Sequence, residues 1–137
     1  LKYKNNINGI ILVNKPKGLT SRDVVNKVQK IFNTKAGHTG TLDPLARGVL
    51  VVCLGKATKL TELLTSKEKE YIAEIILGYE TDTLDTEGKI LKEKETNITR
   101  EKLTQILQGF IKTYNQEVPK YSAVKVNGKK LYSPCDI

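Results

Sequence analysis

The sequence predicts an α+β fold built on a mixed sheet. Three observations carry that expectation. Short apolar runs of strand length recur at Ile7–Val13, Gly48–Leu54 and Glu70–Gly78. Two longer stretches place apolar residues at helical spacing, Val24, Val25, Val28, Ile31 and Phe32 in one and Leu103, Ile106, Leu107 and Phe110 in the other. Strands and helices do not alternate strictly, so an all-parallel βαβ architecture is not indicated.

In chain order, the Ile7–Val13 strand ends at Lys15-Pro16-Lys17-Gly18. Thr20-Ser21-Arg22-Asp23 then has the layout of a helix start. A Thr side chain accepts from an early backbone N–H, and an acidic residue three positions on reaches back. A polar, glycine-bearing stretch, Lys35 to Pro44, leads into the Gly48–Leu54 strand. Ala57 to Leu64 is expected to be helical, with Leu60, Leu63 and Leu64 inward. After the Glu70–Gly78 strand comes a polar turn, Thr81 to Gly88, and a short strand near Lys89 to Lys92. A second long helix is expected over Thr99–Lys112, capped by Thr99. Asn115 to Lys120 reads as irregular, and Ser122 to Tyr132 as a hairpin turning at Asn127-Gly128.

The chain has 137 residues, which sets one domain as the expectation. Hydrophobic and charged fractions of 39% and 28% are those of an ordinary globular protein. No apolar run reaches the roughly 20 residues that span a bilayer, and no signal-peptide layout is present. Two cysteines, Cys53 and Cys135, are too few for a disulfide framework and lack zinc-site spacing, so a reduced, cytoplasmic setting is expected. Cys53 lies in an apolar run and is expected to be a small buried hydrophobe. The net charge of +8 suits a polyanionic partner, because Lys and Arg displace counterions from phosphates. The chain holds no methionine and its last residues, Ser133 to Ile137, complete no element, so it reads as part of a longer protein.

One segment stands out for chemistry. In Gly37-His38-Thr39-Gly40-Thr41-Leu42-Asp43-Pro44-Leu45-Ala46-Arg47-Gly48, three glycines and a proline surround one carboxylate in a loop that enters a buried strand. Glycine permits close approach of a ligand, and proline pins the chain after the carboxylate. From the residues alone, a turn whose Asp43 bonds nearby backbone N–H groups is an equal alternative. For His38 the residues alone favour a surface or packing histidine. Leu54-Gly55-Lys56-Ala57-Thr58 hints at a P-loop, but its glycine spacing is wrong and no Ser or Thr follows Lys56 directly. Asp82 and Asp85 hint at a metal-dependent phosphatase, in a setting that reads as an ordinary turn.

GHTGTLDPLARGVL, residues 37–50, resembles the catalytic motif of the TruB-type tRNA pseudouridine synthases. Three further blocks resemble the same family in the same order: NGIILVNKPKGLTSRDVV at residues 8–25, KEYIAEIILG with TDTLDTEG from Lys69 to Gly88, and YSAVK with NGKKLY between Tyr121 and Tyr132. The resemblance implies a largely antiparallel mixed sheet flanked by helices. It implies that residues 1–137 are the N-terminal portion of the catalytic domain, with an RNA-gripping insertion near residues 114–132. The family's later block, with an active-site arginine and a second tyrosine, and its C-terminal RNA-binding domain are not in this sequence. Arg47 and the closing SPCDI depart from the family pattern.

As the resemblance implies, uridine is isomerised to pseudouridine, at uridine 55 of the tRNA T-loop. Asp43 is the catalytic nucleophile, kept ionised by a nearby cation. His38 and Tyr71 hold the substrate nucleotide. Lys15, Gly40, Thr41, Tyr121, Lys125, Lys129 and Lys130 are the further candidates for RNA contact. The reaction gives an isomer, so no cofactor and no metal is expected. The expected partner is tRNA, with no membrane, and the expected state is a monomer. Three other readings remain: a non-catalytic RNA-binding fragment, the guide-RNA-dependent branch of the superfamily, which the YSA insertion argues against, and a purely structural basic protein.

Overall fold

The computed structural model describes residues 6–113, 115, 125–126 and 129–130. The chain divides into two units, Leu1–Tyr71 and Ile72–Ile137. The described elements are α+β, and every described strand pairing is antiparallel.

The first unit is built on a three-stranded sheet. Strand β1 (Gly9–Lys15) pairs with β3 (Gly48–Leu54), and β3 pairs in turn with β2 (Ala36–His38), giving the order β1-β3-β2. The register sets Lys15 opposite Gly48, Val13 opposite Leu50, and both Ile11 and His38 opposite Val52. Because side chains alternate across a strand, Ile11, Val13, Lys15, Ala36, His38, Leu50, Val52 and Leu54 share one face. Helix α1 (Ser21–Phe32) covers that face and inserts Val24, Val25 and Val28 into it. Full burial of such a side chain is worth about 1.5–3 kcal/mol. Cys53 is buried, as its apolar setting predicts.

Helix α1 begins as its sequence dictates. The Thr20 hydroxyl accepts from the Asp23 backbone N–H at 3.0 Å, while the Asp23 carboxylate accepts from the Thr20 N–H, also at 3.0 Å. This reciprocal capping box satisfies two donors that the first turn leaves without helical partners. The helix ends at Asn33, in the left-handed conformation that Asn tolerates.

Three of the expected elements need correction here. The first strand runs over Gly9–Lys15 rather than Ile7–Val13, because the Lys15 side chain belongs to the interior and its backbone pairs with Gly48. The single helix over Ala57–Leu64 is instead a 3-10 helix, Gly55–Leu60, followed by a short α2, Thr61–Thr65. Threonine hydroxyls explain the tightening: Thr58 donates to the Gly55 carbonyl and Thr61 to the Thr58 carbonyl, each at 2.8 Å and three residues back. Leu60 and Leu63 consequently point outward, 46% and 60% exposed, and Leu64 is only partly buried. The Glu70–Gly78 strand does not form. Ile72 is 99% exposed and Ile75 70%, and no described strand pairs with the segment, so among the described residues its apolar side chains have no sheet to pack in.

In the second unit, β4 (Tyr79–Thr81) pairs with β5 (Ile90–Glu93) across the expected polar turn, with a bulge between Glu80 and Thr81. Helix α3 spans Arg100–Gln108 rather than Thr99–Lys112, and Thr99 caps it by accepting from the Lys102 N–H at 3.3 Å. It ends at Gly109, a poor helix former; its Ile106 and Leu107 side chains, and Phe110 just beyond it, are exposed. Strands β6 (Lys125–Val126) and β7 (Lys129–Lys130) pair as the two arms of the expected hairpin. The Asn127-Gly128 turn, most of the irregular stretch from Asn115 to Lys120, and Tyr121 lie outside the described residues.

Candidate functional site

The site is built where the β1–α1 loop meets the loop between β2 and β3. Asp43 opens a tight turn: its carbonyl accepts from the Ala46 N–H at 3.0 Å, and Pro44 occupies the next position, where its fixed φ suits such a turn. The residues on either side of Asp43 are both tied to the β1–α1 loop. The Ser21 hydroxyl accepts from the Leu42 N–H and donates to the Leu42 carbonyl, each at 2.9 Å. The Pro44 carbonyl accepts from the Gly18 N–H at 2.7 Å. Gly18 makes that bond at φ +90°, a conformation in which a side chain would be strained.

Lys15 completes the arrangement from below and corrects an expectation. It was a candidate for RNA contact, but its side chain is fully buried. Its ammonium donates to the carbonyls of Leu19 at 2.6 Å, Pro16 at 2.9 Å and Pro44 at 3.4 Å. All three of its donors are thus engaged within the protein, and a buried ammonium must be satisfied in this way.

The Asp43 side chain itself is exposed and makes no hydrogen bond or ion pair among the described residues. That disposes of the alternative in which it caps nearby N–H groups. Arg47 is likewise exposed and forms no ion pair with it. The Asp43 carboxylate is thus open to solvent on a backbone fixed at both neighbours.

His38 lies at the end of β2, partly buried beside the same loop. Its Nδ1 is a buried polar atom without a hydrogen-bond partner among the described residues. Such an atom costs roughly 1–3 kcal/mol, and native proteins retain few of them. Thr39 follows, buried, with its N–H on the Val51 carbonyl at 3.0 Å. Gly40 lies against Lys69, whose Cε would be 3.4 Å from any Cβ placed there. Thr41 is exposed. Tyr71 is 65% exposed and closes the first unit; no hydrogen bond joins it to Asp43 or His38 among the described residues. Lys125, Lys129 and Lys130 belong to the second unit. Sequence reasoning missed Ser21 as a site residue, reading it only as part of a helix start. The signal was present in Thr20-Ser21, where one hydroxyl caps the helix and leaves the next free to reach elsewhere.

The phosphate-handling readings find no support. The Lys56 N–H, which a P-loop would turn toward phosphate, donates to Asn8 Oδ1 at 2.6 Å. Asp82 accepts from the Lys89 N–H at 2.8 Å. The Thr83 hydroxyl, followed by the Glu87 N–H, holds the Asp85 carboxyl below its ordinary pKa, as an ordinary turn does. No cluster of three metal-ligating side chains occurs among the described residues.

Comparison with known proteins gives a consistent result. Residues 27–135 match the model of the TruB family pseudouridylate synthase (N terminal domain). The chain is 54% identical over 125 residues to a tRNA pseudouridine synthase B of Fusobacterium nucleatum, covering 90% of this chain and 44% of that protein. It is 49% identical over 129 residues to the tRNA pseudouridine synthase B of Bacillus subtilis, covering 92% of this chain and 42% of that one. The chain therefore spans less than half the length of these relatives. Among solved structures, a crystal structure of a Cbf5-Nop10-Gar1 complex contains a chain that matches with a TM-score of 0.58 and 31% identity, over 85% of this chain and 31% of its own length. The match covers the Asp43 loop, the β3 strand and the second unit together, and on that ground the chain belongs to the TruB family of pseudouridylate synthases.

Proposed function

We propose that the protein carrying this chain isomerises uridine to pseudouridine in tRNA, at uridine 55 of the T-loop, with Asp43 as the nucleophile. The observation that carries this reading is the Asp43 carboxylate, exposed and without an internal partner, on a backbone pinned at Leu42 and Pro44. The naming of the relatives as tRNA pseudouridine synthases supports the reaction and the class of RNA.

The chemistry asks little of the protein beyond one nucleophile and precise placement. A carboxylate oxygen of Asp43 bonds to the ribose C1′ as the bond to uracil N1 breaks. The uracil turns, C1′ bonds to C5 with release of the carboxylate, the C5 proton leaves, and N1 takes up a proton. The product is an isomer, so no redox cofactor is consumed. The target base must first leave its stack, at a cost of a few kcal/mol. His38 fills the space so vacated, from its place at the end of β2 beside the Asp43 loop. Tyr71 lies against the target base. Gly40 and Thr41 contact the RNA at the loop, and Tyr121, Lys125, Lys129 and Lys130 hold it from the insertion. The protein acts in the cytoplasm as a monomer.

The test is pseudouridine formation in a T-loop RNA by the full-length protein and its Asp43→Asn variant. Turnover falls at least about a thousandfold in the variant, while RNA affinity stays within about threefold, as expected when a reacting group is lost but its volume is kept. Product at an unchanged rate from Asp43→Asn would refute the assignment of Asp43. Product formed at a uridine outside the T-loop would refute the target. RNA binding by a full-length protein that makes no product would favour the non-catalytic reading.

A further inference from the structure

We infer that Ser21 is the positioning residue for Asp43: its single hydroxyl fixes the backbone that aims the reacting carboxylate. The inference rests on the reading in which Asp43 reacts, and it extends that reading to a residue that never touches substrate.

The argument is one of redundancy. Asp43 has two backbone neighbours, and each is anchored to the β1–α1 loop, but by different means. Pro44 is held twice, by the Gly18 N–H at 2.7 Å and by the Lys15 ammonium at 3.4 Å. Leu42 is held by one atom. Ser21 Oγ takes the Leu42 N–H and gives its own proton to the Leu42 carbonyl, both at 2.9 Å. One oxygen reaches the N–H and the carbonyl of the same residue only when that residue is extended, so the hydroxyl selects the conformation of Leu42 as well as its place. Ser21 is 2% exposed and sits in the first turn of α1, so water has little access to replace it. Its neighbour Thr20 is committed to the capping box, which leaves Ser21 as the residue at this helix start that reaches across to the loop. The Leu42 side chain packs against the core formed by α1 and the sheet, so the clamp ties the carboxylate's backbone to the start of α1 beside that core.

Without the hydroxyl, the Pro44 side stays anchored, while the Leu42 backbone loses both its hydrogen bonds to Ser21 and keeps only the packing of its side chain. A displacement of about 1 Å at a reacting group is enough to cost as much as a hundredfold in rate. Most of the proposed RNA contacts, those of His38, Tyr71 and the insertion, lie away from Leu42 in the chain, so affinity is expected to change little. The expected signature is therefore a loss in the chemical step without a loss in affinity.

The experiment uses the full-length protein and Ser21→Ala, with a T-loop RNA as substrate. Three quantities are read: the single-turnover rate constant, the RNA dissociation constant, and exchange of the Leu42 backbone amide with solvent. The inference expects a rate constant lowered about 10- to 100-fold, a dissociation constant within about twofold, and faster Leu42 exchange. A rate constant within about twofold of the parent protein, with Leu42 exchange accelerated, would overturn it, since the clamp would then be lost without consequence. A fall in rate matched by an equal fall in affinity or in folded fraction would overturn it too, by making Ser21 merely structural. Failure of the underlying reading is separate and visible: the unsubstituted protein would then make no pseudouridine, and unchanged Leu42 exchange in Ser21→Ala would remove the clamp itself.

Discussion

Three backbone carbonyls, those of Pro16, Leu19 and Pro44, converge on the buried Lys15 ammonium. Each bond has a buried ammonium as its donor, and a hydrogen bond to a charged group is worth roughly 1.5–3 kcal/mol. Lys15→Met should therefore lower the thermal unfolding temperature of the full-length protein clearly. Its effect on the rate constant of the folded protein should be small, because the Gly18 N–H still holds Pro44; a large rate loss at unchanged stability would contradict this account. The role of Lys15 was not legible in the sequence. Lysine is among the residues least often buried, and nothing in KPKG announces that distant carbonyls will gather around it. The loop around Asp43 was legible, because its glycines and proline are themselves the physical requirements of an approachable, fixed loop. The free state of its carboxylate was not, since a turn Asp and a catalytic Asp share one local sequence.

Element by element, the start of α1 is the most local feature and so the most readable. Thr20 and Asp23 satisfy each other over three residues, with no help from the rest of the fold. Removing the cap hydroxyl by Thr20→Ala should destabilise the protein by about 0.5–2 kcal/mol in thermal or denaturant unfolding. A pH dependence accompanies the cap. The Thr20 hydroxyl, then the Thr20 N–H, lower the Asp23 pKa below its ordinary value of 3.8. A carboxylate depressed in the folded state contributes stability that is fully present above its unfolded value and lost as pH falls through the folded one. The stability gap between the parent protein and Asp23→Asn should thus be constant above about pH 5 and close as pH drops below 4; a gap that widens in acid would contradict it. Elements that depend on partners were less readable. The Thr58 and Thr61 hydroxyls tighten the segment after β3 into a 3-10 helix, an effect that apolar spacing does not report. The Glu70–Gly78 pattern is that of a strand, but a strand exists only where another pairs with it.

For the whole molecule, charge is distributed unevenly along the chain. Leu1–Tyr71 holds thirteen Lys and Arg against five Asp and Glu, whereas Ile72–Ile137 holds ten of each, so the net +8 belongs entirely to the first unit. For the proposed RNA binding, counterion release predicts that this unit supplies most of the salt-dependent affinity contributed by residues 1–137. Charge reversal at the exposed Lys56 should weaken RNA binding by about three- to tenfold at low salt and flatten the salt dependence. The same reversal at Lys102, in the balanced unit, should do less in the same titration; equal effects would show that the asymmetry does not govern binding. The fold class was legible because it depends on the mixture of periodicities. The sheet order β1-β3-β2 was not, because β2 is only three residues long and carries no pattern of its own.

The central claim is that Asp43 forms the bond to ribose during the exchange of N1 for C5. It is tested most directly with T-loop RNA tritiated at C5 of uridine, because forming the new carbon–carbon bond releases that hydrogen to water. The full-length protein should release tritium in step with pseudouridine formation, and Asp43→Asn, with RNA still bound, should release none above background. Release by Asp43→Asn at the rate of the parent protein would contradict the account.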